Sequence, residues 1–166
     1  MAYDPPQQLI DQIKRLEGLV LTAAPCPAGK MTIGYGHNLD ANPVPGLSAG
    51  STINADQAER LLIADIIDYR QRVLARLPWS GYLDQVRFCA LINMAFNMGL
   101  SGLCGFHKML DALASDNYSE AAAEALDSAW GRGQVIVNGD IKTLNGLVNR
   151  SKEIANQIAT GAWQEA

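Results

Sequence analysis

Residues 15–40 read RLEGLVLTAAPCPAGKMTIGYGHNLD, and the texture of the chain changes inside this stretch. Upstream of it, Leu9, Ile10, Ile13 and Leu16 recur at the spacing of one helical face. Asp4 before Pro5 and Pro6 has the form of a cap followed by prolines at a helix start. Glu17 follows Ile10 by seven positions and Ile13 by four, so it closes the apolar stripe, and Gly18 reads as the helix stop. From Gly18 to about Ile53 the helical period gives way to Gly, Pro, Thr and short apolar runs. That pattern predicts a small hairpin-rich lobe whose second strand holds Met31 to Tyr35, followed by a loop, ANPVPGLSAGS, at 41–51.

Beyond the loop, Asn54 stands before Ala55-Asp56-Gln57 in a capping-box arrangement, and Leu61, Leu62, Ile66, Val73 and Leu77 continue a helical period. A helix over about 55–77 would be roughly 34 Å long at ~1.5 Å per residue, enough to run between two lobes. The stretch LDQVRFCALINMAFNMG is apolar nearly all round and predicts a buried central helix ending at Gly99. Shorter helices are expected at about 106–115, 119–130 and 149–160. Between the last two, GRGQVIVNGDIKTLNG carries an Asn138-Gly139-Asp140 turn signal for a small hairpin. The expectation is an α+β protein, mainly α, with residues 1–166 as a single domain. It has a small β lobe (about 18–53), a connecting helix (about 55–77) and a helical lobe (about 78–166) that takes in the N-terminal helix.

Composition limits the function. A chain of 166 residues that is 48% hydrophobic and 18% charged can bury a real core and has the balance of a compact protein. The net charge of −4 is spread along the chain with no basic footprint, so no nucleic-acid partner is expected. Cys26, Cys89 and Cys104 are odd in number and form no C-x-x-C pair, which argues against a disulfide framework and against zinc and predicts free thiols. With His37 and His107 the only histidines, no metal or other cofactor is expected. The N-terminus has no basic start leading into an apolar run, and charge or amide breaks the apolar stretches before the ~20 residues of a membrane span. Synthesis in the cytoplasm without a signal peptide, and no stable membrane insertion, are the corresponding expectations.

A carboxyl group on the apolar side of a helix's last turn is partly desolvated and faces the negative end of the helix dipole, and both effects favour the protonated form. A proton held near neutral pH is what cleavage of a glycosidic bond requires, because the leaving sugar oxygen must be protonated. Glu17 is therefore the candidate acid. His37 has a side chain whose unperturbed pKa is near ~6.5, yet a structural histidine is the favoured reading for it.

Glu17, eight intervening residues, Cys26, five more and Thr32 resemble the Glu, Asp-or-Cys, Thr signature of phage-type lysozymes (endolysins), glycoside hydrolase family 24. The flanks RLEGL and TIGYGH, and INADQAE, CALINMAFNMG, GLVNRSKEI and ATGAW further on, look like the same family in the same order, from about residue 9 to 163. The resemblance implies a two-lobed lysozyme-like fold and hydrolysis of the β-1,4 bond between N-acetylmuramic acid and N-acetylglucosamine of peptidoglycan. In that scheme Glu17 protonates the glycosidic oxygen while Cys26 and Thr32 hold the attacking water. It also implies substrate contacts from Tyr35, Gly36, Phe96, Asn97 and Arg150, the arginine lying near the acid and orienting it, and a support pair of His37 with Asp65. The resemblance also implies action on peptidoglycan glycan strands and lysis of the host cell; a monomer is expected, and the missing signal implies that a holin is needed to reach the wall.

Cys26 stands where many members have Asp, and the first acid after Glu17 is Asp40, so the two-carboxylate scheme of most glycosidases is not written here. Two alternatives stay open. A lytic transglycosylase would act on the same bond with one carboxylate and close an internal anhydro ring. A non-catalytic wall-binding phage component would keep the fold without the chemistry.

Overall fold

The computed structural model of the chain describes residues 3–26 and 29–164. Two compact units form, the first reaching to Asp68 and the second starting at Tyr69.

In the first unit, α1 (Gln7–Glu17) buries Leu9, Ile10 and Ile13, three positions of the stripe seen in the sequence. Its N-cap residue is Pro6, and no side chain caps it, so Asp4 does not serve as the expected cap. The prolines displace the helix start from Asp4, and a side-chain cap must come from the N-cap position itself. Gly18 ends the helix as expected, with its N–H on the Lys14 carbonyl at 3.0 Å.

A three-stranded antiparallel sheet follows, β1 (Val20–Pro25), β2 (Met31–Gly34) and β3 (His37–Asn38), in that spatial order. Thr32 is opposite Ala24 on one side and Asn38 on the other, and Ile33 is opposite His37. The turn between β2 and β3 is Gly34-Tyr35-Gly36, and both glycines have positive φ (68° and 87°), which the tight reversal requires. Strand alternation sends Ala23 and Ile33 into a small core with Leu39, Ile53 and Ala58.

The helix α2 (Ala55–Arg76) opens with the capping box read from the sequence. Gln57 N–H donates to Asn54 Oδ1, and Asn54 N–H to Gln57 Oε1, each at 2.8 Å.

The second unit is helical around one core. A short 3₁₀ turn (Pro78–Tyr82) leads into α3 (Gln85–Cys104), capped by Asp84, whose side chain accepts the Arg87 N–H at 3.0 Å. By length and composition α3 meets the test for a membrane span, longer than the broken apolar runs suggested. Its stretch Cys89–Ala95 is buried inside the unit, which is the behaviour of a core helix. The helix does not end at Gly99 as expected. Gly99 breaks it with φ 78° and ψ 162°, a conformation open in practice only to glycine, and helical structure then resumes to Cys104.

Around α3 pack α4 (His107–Ala114), α5 (Tyr118–Leu126) and α6 (Asn145–Thr160), their core including Leu91, Met94, Leu103, Met109, Leu113, Ile154 and Ile158. The expected hairpin is present as β4 (Gln134–Val137) and β5 (Asp140–Thr143), turning at Asn138-Gly139.

Candidate active site

Glu17 is the last residue of α1, and only Gly18 and Leu19 separate it from β1. Its side chain is half-buried, with Oε1 sealed from solvent. One turn earlier, Lys14 bonds Glu59 of α2, and its ammonium lies 5.7 Å from the centroid of the Tyr35 ring. The hydrogen bond that Lys14 donates to the Glu59 carboxylate raises the Lys14 pKa above its ordinary value. Lys14 therefore stays cationic near Tyr35, one of the expected substrate contacts.

The β1–β2 hairpin brings the other two signature residues together. Ala23 and Ile33 point into the core of the first unit, so their neighbours Ala24 and Thr32 occupy the opposite face of the sheet, Ala24 exposed and Thr32 half-buried. Thr32 Oγ1 lies 3.4 Å from the Ala24 carbonyl oxygen, too long for a strong hydroxyl bond. Cys26 lies one residue past the end of β1 and is half-buried. Its backbone is held by the turn, with Cys26 N–H on the Lys30 carbonyl at 2.8 Å and Gly29 N–H on the Cys26 carbonyl at 2.7 Å. Pro27, which flanks it in sequence, lies outside the described residues. The register of β1 and β2 is interrupted between Val20 and Ala24. Irregularities of this kind re-aim side chains beside functional sites. Gly36 is exposed in the turn beside Tyr35, which is half-buried.

His37 and Asp65 form the support pair. Nδ1 donates to Asp65, 2.8 Å from Oδ2 and 3.0 Å from Oδ1, and Nε2 donates to the Asn42 carbonyl at 2.9 Å. With acceptors on both ring nitrogens, above all the Asp65 carboxylate, the imidazolium is favoured and the His37 pKa is raised. Both ring nitrogens are thus engaged within the protein.

The remaining expected residues lie in the second unit. Phe96 is half-buried, tilted against Tyr69 with ring centroids 5.7 Å apart. Asn97 is exposed, and its Oδ1 accepts the Trp130 indole N–H at 2.9 Å. The buried amide is Asn93, fully enclosed one turn earlier, which accepts a bond from Arg150 Nε at 3.0 Å. Arg150 is 4% exposed, hence not the solvated arginine of an ordinary surface helix. Sequence reading missed Asn93 and Trp130, and the only signal for either was position within a strongly apolar helix or loop.

A cavity of about 610 Å³ in the second unit, lined by Met98, Phe106 and Trp130 among others, contains none of Glu17, Cys26 and Thr32. Volume alone therefore does not mark the chemistry. Among the described residues no cluster of His, Cys, Asp or Glu forms a metal site.

The family description Phage lysozyme matches residues 14–153, a stretch that holds Glu17, Cys26, Thr32 and Arg150. The chain belongs to the phage lysozyme family. The endolysin of Acyrthosiphon pisum secondary endosymbiont phage 1 is 33% identical over 138 residues, which is 83% of this chain and 86% of that protein. The endolysin of Bacillus phage B103 is 33% identical over 155 residues, 92% of this chain, and the chain spans about half of its length (52%). Among solved structures, the endolysin from Escherichia coli O157:H7 phage FAHEc1 superposes with a TM-score of 0.75 at 25% identity, covering 99% of each chain. The chain is a lysozyme-type glycoside hydrolase, with the α+β, mainly helical fold of phage lysozymes.

Proposed function

We propose that this phage lysozyme is an endolysin-type muramidase that hydrolyses the β-1,4 bond between N-acetylmuramic acid and N-acetylglucosamine in peptidoglycan and so lyses the host cell. Glu17 protonates the leaving glycosidic oxygen. Thr32 and Cys26 orient the water that attacks from the other side, and Tyr35, Gly36, Phe96, Asn97 and Arg150 contact the glycan. The observation that carries the reading is local. One chain segment ends a helix on a half-buried glutamate and runs directly into a hairpin, whose face turned away from the core carries Thr32, with Cys26 just past the end of β1. The enzyme is proposed to work on the glycan as a monomer. Passage to the wall is proposed to depend on a holin.

Muropeptide mass spectrometry after digestion by the wild type and by Glu17→Gln tests the chemistry. Water addition gives products with a free reducing end, and Glu17→Gln should lose activity by ~10²–10⁴-fold, the range that general acid catalysis supplies. A cysteine at position 26 in place of a carboxylate favours one competing reading, lytic transglycosylation. That reaction gives products lighter by one water, which would replace the hydrolytic assignment. Clearing by Glu17→Gln at the wild-type rate would remove Glu17 from the chemistry.

A further inference from the structure

We infer that Asp40 is a positioning residue for the Cys26–Thr32 hairpin, holding the start of β2 through the Met31 amide. The inference rests on the roles proposed above for Cys26 and Thr32.

Asp40 is the only acid between Glu17 and Asp56. Although exposed, its carboxylate is engaged, with Oδ2 accepting the Met31 N–H at 2.8 Å. The Met31 carbonyl accepts the N–H of Leu39 at 2.9 Å, so residues 39 and 40 hold both main-chain groups of Met31. The turn that presents the carboxylate is itself tied down, because Asn38 Oδ1 accepts the N–H groups of Asp40 (3.0 Å) and Ala41 (3.2 Å).

Met31 is the position where this hold matters. It pairs with Pro25, the residue before Cys26, and it precedes Thr32. The bond from the Cys26 N–H to the Lys30 carbonyl holds this end of the hairpin from the β1 side, while Asp40 holds the same end of β2 from the β3 side. A bond from an amide to a carboxylate is charge-assisted and directional, so it sets the orientation of the strand end that carries the Thr32 hydroxyl. Water can take the place of an exposed acceptor, so losing the bond changes stability little. Water does not fix direction, and a misplacement of ~1 Å in a group that orients a nucleophile costs up to ~10²-fold in rate.

The test compares Asp40→Ala and Asp40→Asn with Thr32→Ala and Glu17→Gln on purified peptidoglycan, measuring kcat, KM and melting temperature for each. Asp40→Ala should lower kcat by about 10-fold or more, with KM and melting temperature near the wild type. Asp40→Asn, which keeps an acceptor oxygen without the charge, should restore kcat to within about threefold, since the hydrogen bond is the argued function. Wild-type kcat in Asp40→Ala, a loss that only tracks a fall in melting temperature, or an Asp40→Asn variant as slow as Asp40→Ala would each overturn the inference. If Thr32→Ala and Glu17→Gln lose turnover while Asp40→Ala does not, the Asp40 inference fails alone. Full turnover in those two variants overturns the underlying site reading and this inference with it.

Discussion

Cys26 puts a thiol where a carboxylate would accept water more strongly, and the residue is half-buried just past β1. Thiols in such settings are alkylated or oxidised readily, and the adduct fills space that water would use. Mild alkylation should reduce wall clearing by the wild type and leave Cys26→Ser unaffected, while Cys89→Ser and Cys104→Ser stay sensitive. Cys26→Asp should remain active if both groups orient water, and unchanged activity in fully alkylated wild type would place Cys26 outside the working site. Arg150 and Asn93 lead to a second prediction. Removing the buried amide in Asn93→Ala takes an acceptor from an enclosed guanidinium, and a denaturant titration should find a loss of about 1–3 kcal/mol. At this scale Glu17 and Thr32 were legible, since the end of an apolar stripe and fixed offsets in one segment are sequence properties. The choice between Asn93 and Asn97 was not. They are one helical turn apart, so periodicity places them on nearly the same face, and burial was settled by Arg150, 57 positions from Asn93 in the chain.

The elements of the first unit are joined by side chains as much as by the sheet. His37 on β3 donates to Asp65 on α2 with both side chains largely shielded from solvent, and this tie makes stability depend on pH. Because the folded pKa of His37 is raised above its unfolded value, the contribution is complete below ~6.5 and is lost as pH rises through the folded pKa. Asp65→Asn removes the charge that favours the imidazolium. The stability gap between wild type and Asp65→Asn should therefore be about 1–3 kcal/mol near pH 5–6 and should close toward alkaline pH. Urea midpoints across that range would read it, and a gap that widened with pH would contradict the ion pair. Most of the elements were visible in the sequence because their signals are local: the Asn54 capping box, the Asn138-Gly139 turn, the alternation of Ala23 and Ile33 against Ala24 and Thr32. Two boundaries were not. Asp4 looked like a cap, but the consecutive prolines moved the helix start to Pro6. Gly99 looked like a stop, and glycine did break the helix there, but Leu103 is fully buried in the core and the chain resumes its helical turns to carry it.

Counted over residues 1–50, 51–100 and 101–166 the net charge is −1, 0 and −3, and the division into compact units changes that picture. Residues 1–68 hold eight acids against four bases, and residues 69–166 hold nine of each, so the whole excess belongs to the unit that carries Glu17, Cys26 and Thr32. No sequence window displays this, because the boundary at Asp68 falls inside a continuous helix, α2, and only the folded contacts define it. An enzyme whose working unit is negative, acting on a wall that carries carboxylates and other anionic groups, meets a repulsive field on approach. The range of that field is set by salt, about 30 Å at 0.01 M and about 8 Å at 0.15 M. Raising ionic strength across this interval should therefore speed the clearing of peptidoglycan, with the gain in kcat/KM and little change in kcat, since screening alters encounter and leaves the enclosed chemistry alone. Neutralising variants at exposed acids outside the site, such as Asp11→Asn and Asp56→Asn, should raise the low-salt rate and flatten its dependence on salt. A clearing rate that falls steadily with added salt would instead show that the basic residues of the second unit dominate capture of the wall.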